Sequence, residues 1–146
     1  MIALLGLFTA ALVAATLVPA QSEAVLVALL LDGSRPAWLL VAVATVGNVL
    51  GSVVNWVLGR FLLRFRDRRW FPVSDRALTR AQARYARWGH WSLLGSWLPV
   101  VGDPLTLVAG VMREPIGRFL VLVTLAKGGR YMVLAAGVLA WARTGV

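Results

Sequence analysis

The sequence contains no cysteine and a single histidine, His90. Disulfides, thiolate nucleophiles and cysteine-based metal sites are therefore excluded, as is any metal site that needs several histidines. Charge is scarce as well: only 14% of the residues are Asp, Glu, Lys or Arg, and residues 2–22 and 36–59 carry none. With 60% hydrophobic residues and a mean hydropathy of +0.78, so little charge does not fit a soluble domain of 146 residues. It fits one membrane-embedded domain. A secretory leader is not expected: the N-terminus lacks a basic flank, and Pro19-Ala20-Gln21 is not a small-x-small cleavage site.

What charge there is lies in one place. Nine of the fourteen arginines fall between Arg60 and Arg87. Beside apolar spans, such a cluster follows the positive-inside rule, which puts the central segment in the cytoplasm and makes nucleic-acid binding the poorer reading.

Residues 2–31 form a first apolar block, interrupted at Pro19–Glu23 and closed by the turn cluster Asp-Gly-Ser-Arg-Pro at 32–36. Residues 36–63 predict a spanning helix. Its uncharged 24 residues cover about 36 Å at ~1.5 Å each, enough for a ~30 Å hydrocarbon core. Gly47 and Gly51 have the G-x-x-x-G spacing that lets helices approach closely in lipid. Asn48, Ser52, Asn55 and Gly59 follow as a small or polar stripe that should face protein or a wet cavity. Residues 75–88 predict a helix capped by Ser74 and stopped by Gly89. Leu78, Ala81, Tyr85 and Trp88 share one face, and Arg76, Arg80, Arg84 and Arg87 share another. An apolar stripe opposite an arginine stripe predicts a helix lying among headgroups against anionic lipid. A second apolar block, 91–112, is interrupted at Pro99–Pro104, and residues 115–142 predict a second span that includes Lys127 and Arg130.

The two interruptions match. Leu17-Val18-Pro19-x-x-x-Glu23 precedes Leu26-Val27-Ala28, and Trp97-Leu98-Pro99-x-x-x-Asp103 precedes Leu107-Val108-Ala109. This predicts an internal repeat, residues 2–63 and 91–142, joined by a basic amphipathic linker at 64–90. After Glu23 and Asp103 only about 12–14 Å of helix remains before the next charged residue, too short to cross. Each interrupted block is then either a helix kinked at proline or a re-entrant hairpin bent at Pro19, or at Pro99, Gly102 and Pro104. The expected fold is all-α: an inverted repeat of re-entrant hairpin plus transmembrane helix. Four isolated charges would cost on the order of 10–14 kcal/mol in hydrocarbon, so Glu23, Asp103, Lys127 and Arg130 are expected to neutralise one another in a shared polar site for a charged substrate or a proton.

These features resemble the DedA family of bacterial inner-membrane proteins, whose module is also called VTT or SNARE-associated, and within it the short YqaA-type branch. The resemblance rests on Pro19-x-x-Ser22-Glu23, on GNVLGSVVNWVLGR at 47–60, on RYARWG at 84–89, on LLGSWLPVVGDPLTLVAGVMR at 93–113 and on KGGRY at 127–131. It implies two facing re-entrant hairpins and a role in membrane homeostasis through lipid movement, including polyprenyl phosphate in some branches, with dependence on the proton gradient. By the resemblance, Glu23 matches the acid of the first hairpin and Pro99 the proline of the second. Better-studied branches carry arginines three residues either side of that proline, where this chain has Ser96 and Gly102.

The expected function is lipid transport or scrambling, with a proton-coupled small-ion transporter or a non-transporting scaffold as alternatives. No enzyme and no cofactor are expected: H-E-x-x-H is absent, and Ser52 and Ser96 have no convincing histidine partner. The expected partners are membrane lipids with anionic headgroups; a homo-oligomer is as compatible with the sequence as a monomer.

Overall fold

The computed structural model describes residues 1–14, 20–61, 74–98 and 102–145; within these, the side chains at 10–14, 20, 21, 75, 77, 78, 81, 102 and 103 lie outside the description. Every regular element among the described residues is helical: α1 (Ile2–Ala14), α2 (Ala20–Asp32), α3 (Ala37–Phe61), α4 (Asp75–Trp88), a 310 segment (Gly89–Trp97), α5 (Gly102–Val111) and α6 (Ile116–Arg143).

Length divides these helices into two classes. With 25 and 28 residues, α3 and α6 are roughly 37 and 42 Å long, and both are apolar enough to cross a bilayer. By contrast α1, α2 and α5, with 13, 13 and 10 residues, reach only about 15–20 Å. The two long helices run antiparallel. Trp56 meets Phe119 with ring centroids 6.2 Å apart, Asn48 meets Lys127, and Thr45 lies against Gly128, so α3 positions fall as α6 positions rise.

The polarity of α3 is inside out by the standard of a soluble protein. Val46, Leu50, Val54 and Val57 are exposed, while Asn48, Ser52 and Asn55 on the other face are buried. On α6, Val121, Leu125, Met132 and Val133 are exposed, whereas Lys127, Arg130 and Tyr131 are buried. Water would reverse that arrangement; lipid permits it, because only the polar side then needs covering. This is a membrane protein.

The short elements cover that polar side by crossing between halves. In the first half α1 packs on α3, and α2 reaches over to α6. In the second half the 310 segment packs on α6, and α5 reaches over to α3. The α3–α5 crossing is close enough to require glycine on both helices. A Cβ on Gly59 would sit 2.0 Å from the Leu107 carbonyl oxygen, and one on Gly110 would sit 2.0 Å from that of Trp56. Both distances are far inside contact, so here backbone packs directly on backbone.

Two apolar clusters result. One gathers Leu105, Val108, Phe119 and Val123 around Val49 and Tyr85; the other gathers Leu7, Leu26, Leu30, Leu40 and Ala44 around Tyr131. Asn48 and Lys127, each the twelfth residue of its helix, lie in the interval between the clusters.

The sequence expectations for α3, α4 and α6 agree with the structure to within one residue at each described start. Gly89 ends α4 at φ 62°, a left-handed conformation that suits glycine. One expectation needs correction. The first arm of the second interrupted block is a nine-residue 310 segment rather than an α-helix. Gly102 and Pro104, expected at the bend, are the first and third residues of α5. Proline in a first turn loses no intrahelical hydrogen bond, so Pro104 suits the start of α5. Pro19 and Pro99 lie outside the described residues.

Candidate functional site

The site is built on the buried stripe of α3. A buried primary amide needs hydrogen-bond partners for its N–H donors and its carbonyl, and α6 supplies one of each kind. The Lys127 ammonium donates to Asn48 Oδ1, and Asn48 Nδ2 donates to Tyr131 Oη at 2.8 Å. The Tyr131 hydroxyl also shares a 2.9 Å hydrogen bond with Ser22 Oγ of α2. One turn along, Ser52 Oγ donates back to the Asn48 carbonyl at 3.1 Å; another turn on, Asn55 Nδ2 donates to Thr106 Oγ1 of α5 at 3.3 Å. The stripe thus ties α3 to α2, α5 and α6 through side chains whose unpaired burial would cost about 1–3 kcal/mol each.

Arg130 lies one turn beyond Lys127, on the neighbouring face. Its Nη1 donates to the Trp97 carbonyl at 3.2 Å, and its Nε stands 3.3 Å from Glu23 Oε1. The Nε–Glu23 contact has the distance of an ion pair without the alignment of a hydrogen bond. Glu23 keeps about a third of its surface exposed, whereas Lys127 is 2% exposed. Ser96, at 1% exposure, has a hydroxyl without a partner among the described residues.

Of the four expected charges, Glu23 of α2 and Arg130 of α6 meet, and Lys127 is linked to their neighbours Ser22 and Tyr131 through Asn48. Asp103 lies in the first turn of α5, and its side chain is outside the described residues. Gly47 and Gly51 are buried on α3. Arg76, Arg80, Arg84 and Arg87 are all exposed along α4. On the other face of α4, Tyr85 is buried against the rest of the protein and Trp88 is 60% exposed.

Beside the polar interval, on the outer side of the α3–α6 pair, runs an open apolar groove of about 430 Å³. Val41, Ala42 and Thr45 line it from α3, and Thr124, Gly128 and Met132 from α6. Gly128 and Gly129 line the groove without filling it.

Sequence reasoning missed a further buried charge, Glu114. Its backbone closes α5: the Glu114 amide donates to the Ala109 carbonyl at 2.9 Å and the Arg113 amide to that of Gly110 at 3.1 Å, with Arg113 left-handed at φ 57°. That is a Schellman cap without glycine, so the usual signal is absent. The Glu114 carboxylate accepts the Tyr85 phenol proton and lies 3.4 Å from Arg118, while its carbonyl accepts from Trp56 Nε1 at 3.0 Å. Burial, strengthened by the Glu114 bond and charge, pushes the Tyr85 phenol well above its usual range. Tyr85 is the hook that holds α4 to the rest.

Comparison with known proteins decides the family. The family profile described as VTT domain matches residues 2–139. The chain belongs to the VTT domain, or DedA, family. It is 42% identical over 135 residues to inner membrane protein YqaA of Escherichia coli K12, an alignment covering 92% of this chain and 90% of that protein. The YqaA protein of Shigella flexneri matches to the same extent. An uncharacterized protein of Haemophilus influenzae is 36% identical over 135 residues, covering 88% of this chain and 82% of its own. No solved structure matches. Two of these relatives are named inner membrane proteins, and the two long apolar helices of this chain fit a membrane protein.

Proposed function

We propose that this VTT domain protein moves a lipid with an anionic headgroup, a phospholipid or polyprenyl phosphate, between leaflets, and that it acts by transport rather than catalysis. The observation that carries the reading is the cluster of Glu23, Lys127 and Arg130 with Asn48 and Tyr131, between two apolar clusters and next to a groove open along the α3–α6 pair. A headgroup crossing hydrocarbon must exchange its water for protein donors, and Lys127 and Arg130 are of the right sign for phosphate. The sideways groove favours a lipid over a small ion: acyl chains must stay in the bilayer while the headgroup travels, whereas an ion path can be sealed.

The exchange of short arms between halves supports the inverted-repeat, re-entrant architecture. Each interrupted block lays its first arm on its own long helix and its second arm on the other half's. Among the described residues, no single short arm is long enough to cross. In this reading the basic segment faces the cytoplasm, and Glu23 or Asp103 takes up the coupling proton.

The test is leaflet exchange of labelled phosphatidylglycerol and polyprenyl phosphate in liposomes containing purified protein, with and without a pH gradient. Wild type should exchange at least one of them. Glu23→Gln and Lys127→Met should abolish exchange, and Ala42→Leu with Thr124→Leu, which fill the groove without altering charge, should slow it. Folded wild-type protein that moves neither lipid sinks the proposal in favour of a scaffold. Exchange untouched by groove filling and charge removal removes this site from it.

A further inference from the structure

A second polar concavity lies outside this site, between α4 and the 310 segment. It is an open cleft of about 480 Å³, with Arg80, Arg84 and Arg87 on one wall, Ser92 and Gly95 on the other and Leu105 behind. The three arginines stand at i, i+4 and i+7, hence on one helix face. Like charges so spaced destabilise a helix, and among the described residues no carboxylate pairs with any of them. Arg87 is turned towards the exposed ring of Trp88, its guanidinium carbon 5.4 Å from the ring centroid.

We propose that this cleft seats the phosphate of an anionic phospholipid from the leaflet against which α4 lies. Three guanidiniums provide forked donors to phosphate oxygens. Leu105 and Gly95 provide an uncharged back wall where the glycerol and first methylenes would lie. Exposed Trp88 also lines it, an aromatic ring of the kind that settles among headgroups. A free phosphate would use the arginines but gain nothing from the apolar wall or the ring, which selects the lipid. The seat is separate from Glu23, Lys127 and Arg130, and its occupancy is independent of whether lipid crosses the membrane. It also differs from general attraction of a basic helix to an acidic surface, because it singles out three arginines of α4 and leaves out Arg76.

That difference is testable by native mass spectrometry of the purified full-length protein, titrated with phosphatidylglycerol, phosphatidylcholine or glycerol phosphate. Diffuse surface attraction is worth about fivefold in affinity per basic residue wherever it sits. A seat predicts one saturable phosphatidylglycerol per chain, and a loss of more than about tenfold for Arg84→Gln or Arg80→Gln, as expected for a charge-assisted hydrogen bond. Arg76→Gln should stay within about fivefold. Ala83→Phe, which fills the cleft from an exposed position on α4 and leaves every charge in place, should weaken binding as the arginine variants do. Equal losses for Arg76→Gln and Arg84→Gln with Ala83→Phe unaffected would overturn the seat. Glycerol phosphate binding as tightly as phosphatidylglycerol would overturn the lipid.

Discussion

Gly110→Ala adds one methyl group, and the structure gives its consequence. The new Cβ would lie 2.0 Å from the Trp56 carbonyl oxygen and 2.8 Å from the carbonyl carbon, both backbone atoms of a long helix that cannot turn aside. Relief requires α5 to retreat from α3 by about 1 Å or more, a gap that forfeits a quarter to a half of the dispersion energy of each contact it opens. Overpacking of side chains typically costs ~1–3 kcal/mol, and a clash between backbones belongs at the upper end. Alanine's better helix propensity returns up to ~1 kcal/mol, leaving a net loss of about 2 kcal/mol. Gly59→Ala meets the Leu107 carbonyl at the same 2.0 Å and should cost a similar amount. The two together should cost much less than the sum, because one separation of the helices relieves both. Gly137→Ala on α6, with nothing within 4 Å, is the control and should be neutral or slightly stabilising. Unfolding by SDS in mixed micelles measures all four. A Gly110→Ala protein within ~0.5 kcal/mol of wild type, or full additivity of the pair, would refute direct backbone packing at this crossing.

Tyr85→Phe removes the phenol that Glu114 accepts, and should loosen α4 by about 1.5–3 kcal/mol, seen as faster amide hydrogen exchange over residues 75–88 while α3 and α6 stay protected. The raised Tyr85 pKa fixes the pH response: the hook contributes fully below the free phenol's value of about 10 and is lost as pH rises beyond it, so α4 protection should be flat from neutral pH to about pH 9. Tyrosinate absorbance for this residue should appear later than for a free phenol; an earlier appearance would contradict the buried hook. Asn48→Leu strips Lys127 of one acceptor and Tyr131 of one donor, and should destabilise by about 2–5 kcal/mol; Val54→Leu on the exposed face of the same helix should change stability by less than about 0.5 kcal/mol.

The frame was legible where one physical rule acts along one helix. The uncharged run at 36–59 marks α3, the arginine-and-apolar alternation marks α4, and the small polar stripe of α3 is buried as its spacing requires. The neutralisation argument also foresaw opposite charges meeting, and Glu23 meets Arg130. It did not say which atoms pair, because that depends on the crossing of α2 to α6, which no local pattern encodes. The 310 segment was invisible for a similar reason: Gly-His-Trp-Ser-Leu-Leu-Gly-Ser-Trp has no repeat that separates a 310 turn from an α one. Glu114 escaped notice because it sits in a turn, where acids are normally solvated, and its burial follows from a cap built on left-handed Arg113 rather than glycine.

The crossing of arms between halves bears on how the protein is made. As the chain emerges, α1, α2 and α3 are complete before the arginine-rich segment, and Asn48, Asn55 and Gly59 already line one side of α3. The helices that cover that side, α5 and α6, belong to sequence not yet translated, and hydrocarbon offers those amides nothing to bond. The early half is thus an orphan in the bilayer, dependent on insertion machinery or water at the lateral exit until the late half arrives. A break in the linker during synthesis would leave a fragment carrying its own degradation signal: a row of uncovered amides and hydroxyls on a helix otherwise fit for lipid.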